Sequence, residues 1–195
     1  IYVYWSFKLL ALVFPGQGSQ YVGMGKDLYD NFKIAREIFE KASDKLSLDM
    51  KKLCFESDEV HLTVNAQPAI LTVSTAANEV LKSEKNISPS YVAGHSLGEY
   101  SALVASGSIQ FDDAIWAVRK RGEFTQQAVP VGVGGMAAVL GLADEDVNQI
   151  CRDASTKDAH VSPANYNSIG QVVISGVKFA VEKAAELAKK AGAKR

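Results

Sequence analysis

A serine enclosed between two glycines, in the segment YVAGHSLGEY at residues 91–100, constrains the possible fold more than any other feature of this sequence. The apolar residues before the serine predict a short strand and residues 99–105 predict a helix, so the serine occupies a tight turn between the two. Such a turn tolerates only small flanking residues and lifts the serine oxygen clear of the backbone. The pattern therefore predicts that Ser96 is a nucleophile and that the N–H of Leu97, at the start of the helix, stabilises an oxyanion.

The sequence contains three histidines that are candidates for the base of this serine. Adjacent residues of a tight turn point away from each other, so we expect His95 to line the wall of the pocket rather than to accept the Ser96 proton. His61, in a polar loop, and His160, at the head of a predicted strand, carry no local signature of a base. The sequence thus predicts a nucleophile without indicating its proton acceptor.

The first part of the chain predicts an α/β arrangement with a parallel sheet. The continuous apolar run at residues 9–14 is typical of a strand buried in such a sheet, and the segment PGQGS that follows predicts a glycine loop. A helix is predicted to open at Gln67-Pro68, since proline in a first turn loses no hydrogen bond. Glycines and a proline at residues 130–135 predict a flexible break, which gives domains at residues 1–131 and 132–195.

Beyond this break the predicted order of elements is β-α-β-β-α. A split βαββαβ module needs one more strand to complete its sheet. No strand pattern follows the last predicted helix before Arg195. The pattern therefore predicts that the protein is truncated at its C-terminus.

Composition argues against several classes of function. The 21 Lys and Arg residues nearly balance the 22 Asp and Glu residues, which argues against nucleic-acid binding and against attraction to an acidic membrane. The apolar segment at residues 1–14 is shorter than the roughly 20 residues of a transmembrane helix. Cys54 and Cys151 lie far apart with no ligand at metal spacing, so we expect neither disulfides nor a metal site, and a cytoplasmic location.

Three stretches, taken together and in this order, closely resemble a known enzyme family. They are VFPGQGSQ at residues 13–20, GHSLGE at residues 94–99, and NYNS at residues 165–168 running into GQVVISG at residues 170–176. In this spacing they are similar to the malonyl-CoA:acyl-carrier-protein transacylases of fatty acid synthesis and to the acyltransferase domains of polyketide synthases. The resemblance implies an α/β-hydrolase-like parallel-sheet domain with an inserted ferredoxin-like subdomain, both incomplete in this chain.

The resemblance also implies roles for individual residues. Ser96 would be acylated by malonyl-CoA and would pass the malonyl group to the phosphopantetheine thiol of acyl carrier protein, while the backbone N–H groups of Gln17 and Leu97 hold the oxyanion. Arg121 would bind the free carboxylate of malonate, a role that suits a guanidinium because it donates two parallel hydrogen bonds. The residues implied to line the acyl or pantetheine channel are Gln67, Asn165 and Asn167. No cofactor is implied, because coenzyme A enters as part of the substrate.

Two departures from the family pattern bear on activity. Thr125 stands where the family's arginine helix usually has methionine. The family's catalytic histidine follows the second helix of the ferredoxin-like subdomain and this sequence stops before it, so we expect impaired activity.

Two alternatives to the transacylase stay open. One is a serine esterase or thioesterase, against which Arg121 argues because a carboxylate ligand selects a malonyl-type substrate. The other is a non-catalytic module that binds coenzyme A or acyl carrier protein without turnover.

Overall fold

Two parallel strands, β1 (Ala11–Phe14) and β2 (Tyr91–Gly94), form the sheet of the first part of the molecule. Phe14 lies opposite Gly94, so the two strands end side by side. The glycine loop follows β1 and the serine turn follows β2. Because the carboxyl ends of parallel strands meet at one edge of a sheet, the fold brings these two motifs together. The predicted parallel α/β arrangement is confirmed.

The structure is a computed structural model, and it describes residues 9–85, 87–128 and 132–194. The chain divides into two compact units, residues 1–127 and 128–195, close to the division that the sequence predicts after residue 131. Within the described ranges, no helix combines the length and the apolar character needed to cross a bilayer.

Helices supply most of the core of the first unit. They are α1 (Lys26–Asn31), α2 (Lys33–Leu46), α3 (Met50–Glu56), a 3₁₀ helix (Asp58–His61), α4 (Thr63–Lys85), α5 (Gly98–Ala105) and α6 (Phe111–Ala128). In α2 the buried residues Ala35, Ile38, Phe39 and Ala42 recur at helical spacing, which gives the helix one apolar face that contacts α4. Leu97 is also fully buried in this core, so the turn that carries Ser96 is anchored by the residue next to it.

Helix α4 begins at Thr63, and the prediction that Gln67-Pro68 opens it is wrong. Pro68 is buried in the helix interior. Since proline has no backbone N–H, it leaves the carbonyl of Val64 without the partner that an ordinary residue would supply. The Arg119 side chain donates to this carbonyl instead, with Nη1 3.2 Å from the Val64 oxygen. A contact distant in sequence therefore stabilises the early helix start.

The second unit is a small antiparallel sheet with two helices. Its elements are β3 (Gly134–Leu140), α7 (Asp144–Ala154), β4 (Val161–Ser168), β5 (Gln171–Val177) and α8 (Lys178–Lys190). The strand order is β3-β5-β4, and both pairings are antiparallel. Apolar residues of one sheet face, among them Val172 and Ile174, are buried with residues of both helices. The predicted order β-α-β-β-α is confirmed.

Candidate active site

The turn between β2 and α5 holds Ser96 in a backbone conformation that non-glycine residues seldom adopt. Its φ is 52°, in the left-handed region, and the residue is exposed. Strain of this kind persists where the surrounding structure enforces it, and it is typical of a nucleophile on a strand-to-helix turn. The predicted nucleophile thus has the geometry that the motif requires.

Two glycines allow this turn to close. A Cβ at Gly94 would collide with the main chain of Gly98, and a Cβ at Gly98 would collide with the carbonyl oxygen of Phe14. Both collisions involve backbone atoms, which cannot rotate away as a flexible side chain would. The spacing of the two glycines around Ser96 therefore follows from the packing of β1, β2 and α5.

The glycine loop after β1 packs directly on the serine turn. The N–H of His95 donates to the carbonyl of Phe14 at 3.1 Å, and a Cβ at Gly16 would lie 2.5 Å from the carbonyl oxygen of His95. The His95 ring also lies beside this loop, since its Nδ1 would be 3.1 Å from the same Cβ. The loop that carries Gln17 therefore adjoins the turn that carries Ser96.

Hydrogen bonds give the glycine loop its shape. The Ser19 hydroxyl donates to the carbonyl of Gly16 at 2.8 Å, and the Gly18 N–H donates to Gln20 Oε1 at 2.7 Å. Gly18 has a φ of 107°, which a residue with a side chain rarely adopts. The side chain of Gln17 reaches a different element, because its Nε2 donates to Thr63 Oγ1 at 3.1 Å at the start of α4.

Arg121 of α6 contacts the predicted nucleophile. Its Nη2 donates to Ser96 Oγ at 3.1 Å, and its Nη1 donates to Gln67 Oε1 at 2.7 Å. Gln67 is only 1% exposed, so its amide oxygen holds the guanidinium from the interior of the protein. The arrangement puts a permanent positive charge beside the serine oxygen, where it favours an anionic group. The structure thus brings together Ser96, Arg121 and Gln67, three of the residues singled out in the sequence.

A second arginine ties α6 to α4, and the sequence analysis missed it. Arg119 Nη1 donates to Asn65 Oδ1 at 2.8 Å as well as to the Val64 carbonyl. Gly122 allows the two helices to approach closely, since a Cβ there would lie 2.8 Å from Val64 Cα. The interior position of Pro68 is the signal that points to this contact, because it leaves a carbonyl in need of a donor.

A charged cluster on α6 adjoins these contacts. Lys120 Nζ lies 2.7 Å from Glu123, and Arg119 Nε lies 3.3 Å from the same carboxylate. The hydrogen bond from Lys120, together with the charge of both cations, lowers the pKa of Glu123. On the same helix, Thr125 donates to the carbonyl of Arg121 at 2.7 Å.

The other predicted site residues lie at separate places. Asn165 and Asn167 both belong to β4 of the second unit, where Asn165 is partly buried opposite Val173 and Asn167 is exposed. His61 is an exposed residue at the end of the 3₁₀ helix of the first unit, and His160 precedes β4. In the described part of the chain, no group of three or more His, Cys, Asp and Glu side chains is arranged to hold a metal ion.

The family model of the acyl transferase domain matches residues 11–195. This chain belongs to the acyl transferase family. Among the relatives in that family, the malonyl CoA-acyl carrier protein transacylase of Bacillus subtilis strain 168 is 51% identical over 188 residues, which are 95% of this chain and 59% of the relative. The protein of the same name from Staphylococcus aureus strain MRSA252 is 48% identical over 95% of this chain and 60% of the relative.

Solved acyl transferase structures match equally well. The acyl-carrier-protein S-malonyltransferase of Burkholderia pseudomallei 1710b is 49% identical with a TM-score of 0.89, over 96% of this chain and 61% of that one. A malonyl-transacylase in complex with a type II polyketide synthase acyl carrier protein is 45% identical with a TM-score of 0.91, over the same shares. The resemblance drawn from the motifs is confirmed. The chain spans about three fifths of the length of the curated relatives that it matches.

Proposed function

We propose that this chain carries the acyl-transfer site of a malonyl-CoA:acyl-carrier-protein transacylase of fatty acid synthesis. The observation that carries the proposal is the contact between Arg121 Nη2 and Ser96 Oγ at 3.1 Å. A guanidinium beside a nucleophile suits an acyl group with its own carboxylate, because the carboxylate and the reacting carbonyl of malonate are separated by a single methylene. An acetyl group would supply no anionic partner to this cation.

The first step forms an ester on Ser96. Its Oγ attacks the thioester carbonyl carbon, the C–S bond to coenzyme A breaks, and the serine proton passes through a base to the departing sulfur. Backbone N–H groups of Gln17 and Leu97 donate to the carbonyl oxygen while it carries negative charge. In the second step the phosphopantetheine thiol of acyl carrier protein attacks the same carbonyl, the bond to Oγ breaks, and the thiol proton returns to Ser96.

The relatives support these partners. Both bacterial relatives are malonyl CoA-acyl carrier protein transacylases, and one similar structure contains an acyl carrier protein. We assign Asn165 and Asn167 to the channel for the acyl or pantetheine group.

Intact mass spectrometry after incubation with malonyl-CoA tests the proposal. We expect a malonyl adduct on the wild-type chain, none on Ser96→Ala, and less on Arg121→Ala. Arg152→Ala is the matched control, because Arg152 is an exposed arginine of the second unit. Adding acyl carrier protein should move the adduct onto the carrier. The same adduct on Ser96→Ala, or an unaffected Arg121→Ala chain, would refute these assignments.

The two alternatives give different outcomes in the same assay. An esterase would lose the adduct to water at a rate that acyl carrier protein does not change. A non-catalytic binding module would bind coenzyme A or acyl carrier protein equally well after Ser96→Ala and would form no adduct at all.

A further inference from the structure

The start of α4 contacts both parts of the site that flank Ser96. Thr63 Oγ1 accepts from the side chain of Gln17 at 3.1 Å, and Gln67 Oε1 accepts from Arg121 Nη1 at 2.7 Å. Thr63 and Gln67 are four positions apart on one helix, so their side chains lie on the same face. At about 1.5 Å of rise per residue, they are separated by about 6 Å along the helix axis.

Resting on the function proposed above, we propose that Thr63 and Gln67 are positioning residues that together set the separation between the oxyanion loop and the guanidinium of Arg121. Thr63 acts through Gln17, and Gln67 acts through Arg121. The substrate class that this separation fits is a short acyl thioester with a carboxylate on the neighbouring carbon, because such a group presents a carbonyl oxygen and a carboxylate at a nearly fixed distance.

Thr63 matters because the glycine loop is intrinsically free. Gly16 and Gly18 flank Gln17, and glycine has more backbone conformations to lose than any other residue. The hydrogen bonds of Ser19 and Gly18 stay within residues 16–20, so they close the loop on itself without connecting it to the rest of the site. The bond from Gln17 to Thr63 joins residues 46 positions apart and fixes the loop to a long, well-packed helix.

Gln67 matters because an arginine side chain has many rotamers. Ordering such a side chain has a substantial entropic cost, and a buried amide oxygen that accepts from Nη1 selects one position of the guanidinium. Since Gln67 is buried behind the guanidinium, its effect on a substrate is transmitted through Arg121.

Acylation rates with two substrates separate the two roles. Thr63→Val keeps the shape of the side chain and removes the acceptor, so we expect acylation by malonyl-CoA and by acetyl-CoA to fall alike, by about fivefold, the typical worth of one hydrogen bond. Thr63→Ser keeps the oxygen and should retain the wild-type rates. Gln67→Met should lower the malonyl rate by about tenfold or more, since the lost bond involves a charged donor, and should lower the acetyl rate by a smaller factor.

The matched control is Thr156→Val, which removes a hydroxyl that accepts from a backbone N–H in the second unit and should change neither rate. Equal losses in Thr63→Val and Thr63→Ser would overturn the role of Thr63, because any effect would then be one of packing. A Gln67→Met chain with an unchanged ratio of malonyl to acetyl rates would overturn the role of Gln67.

Nuclear magnetic resonance tests the same proposal without relying on turnover. We expect the ¹⁵N relaxation of the Gln17 and Gly18 amides to report greater fast motion in Thr63→Val than in Thr63→Ser, and the Arg121 guanidinium signals to change only in Gln67→Met. If the wild-type protein formed no adduct but these changes in relaxation and in the guanidinium signals appeared, the proposed function would be refuted and the positioning roles would stand. Unchanged relaxation and unchanged guanidinium signals would refute the positioning roles even in an active protein.

Discussion

Gly122 gives a prediction in which two physical effects have opposite signs. Replacing an interior helical glycine by alanine ordinarily stabilises a helix by about 1 kcal/mol. In α6, however, the new Cβ would lie 2.8 Å from Val64 Cα and 3.1 Å from the Thr63 carbonyl oxygen. Favourable contact between carbon atoms begins near 3.5 Å, so α6 must move away from α4 by about 0.7 Å.

Overpacking against main-chain atoms costs about 1–3 kcal/mol, and the middle of this range exceeds the gain of about 1 kcal/mol in helix propensity. We therefore expect Gly122→Ala to lower the free energy of unfolding by about 1 kcal/mol. Chemical denaturation monitored by circular dichroism measures this free energy. Val64→Ala should not relieve the loss, because the new methyl group meets backbone atoms and not the Val64 side chain.

The same displacement reaches the site. Arg121 precedes Gly122 on α6, and its Nη1 lies 2.7 Å from Gln67 Oε1 on α4. A separation increased by about 0.7 Å brings this contact to the limit of a useful hydrogen bond. We therefore expect Gly122→Ala to lower the ratio of malonyl to acetyl acylation rates as well as the free energy of unfolding. A Gly122→Ala chain that is about 1 kcal/mol more stable than wild type, the ordinary effect of alanine, would refute the reasoning.

Three further predictions concern other parts of the chain. Burial raises the pKa of Cys54 to about 12, so at pH 8 its alkylation should be about a thousandfold slower than that of an ordinary thiol. Peptide mass mapping before and after unfolding measures this difference. Because the folded protein keeps the proton, the free energy of unfolding should also fall as pH rises from 9 towards 12. Gly94→Ala should cost about 3 kcal/mol or more through its backbone collision, and a wild-type melting temperature would contradict this. Val13 and Tyr91 are 75% and 63% exposed on the parallel strands. We therefore expect light scattering to detect self-association of the chain, and Val13→Lys to reduce it. A monodisperse wild-type monomer would contradict this prediction.

Local patterns in the sequence were sufficient to predict the strands and the turn. The strand–turn–helix around Ser96 and the β-α-β-β-α order each depend on residues close together in the chain, where periodicity and glycine placement are informative. The arginine beside the serine could be predicted only from the family resemblance, because 25 residues separate Arg121 from Ser96. The roles implied for Asn165 and Asn167 remain predictions.

The contacts near Ser96 that sequence analysis missed lie at the start of α4. Thr63, Asn65 and Gln67 bond to Gln17, Arg119 and Arg121, which are 46 to 54 positions away. No window of a helical or strand period contains both partners of such a bond. The early part of α4 also lacks a clear periodic signal because most of its sides are buried, so its start was predicted too late.

Pro68 accounts for one of the contacts that join the start of α4 to α6. An interior proline removes one helical hydrogen bond and is among the most costly residues for a helix, by about 3 kcal/mol. Here the freed Val64 carbonyl accepts from Arg119, and the same guanidinium nitrogen donates to Asn65. Arg119 and Arg121 leave the same helix two positions apart, so the bond that satisfies the Val64 carbonyl also helps to hold Arg121 near Gln67 and Ser96. The Val64 carbonyl that Pro68 leaves free in α4 therefore anchors α6, the helix that carries the predicted carboxylate ligand Arg121.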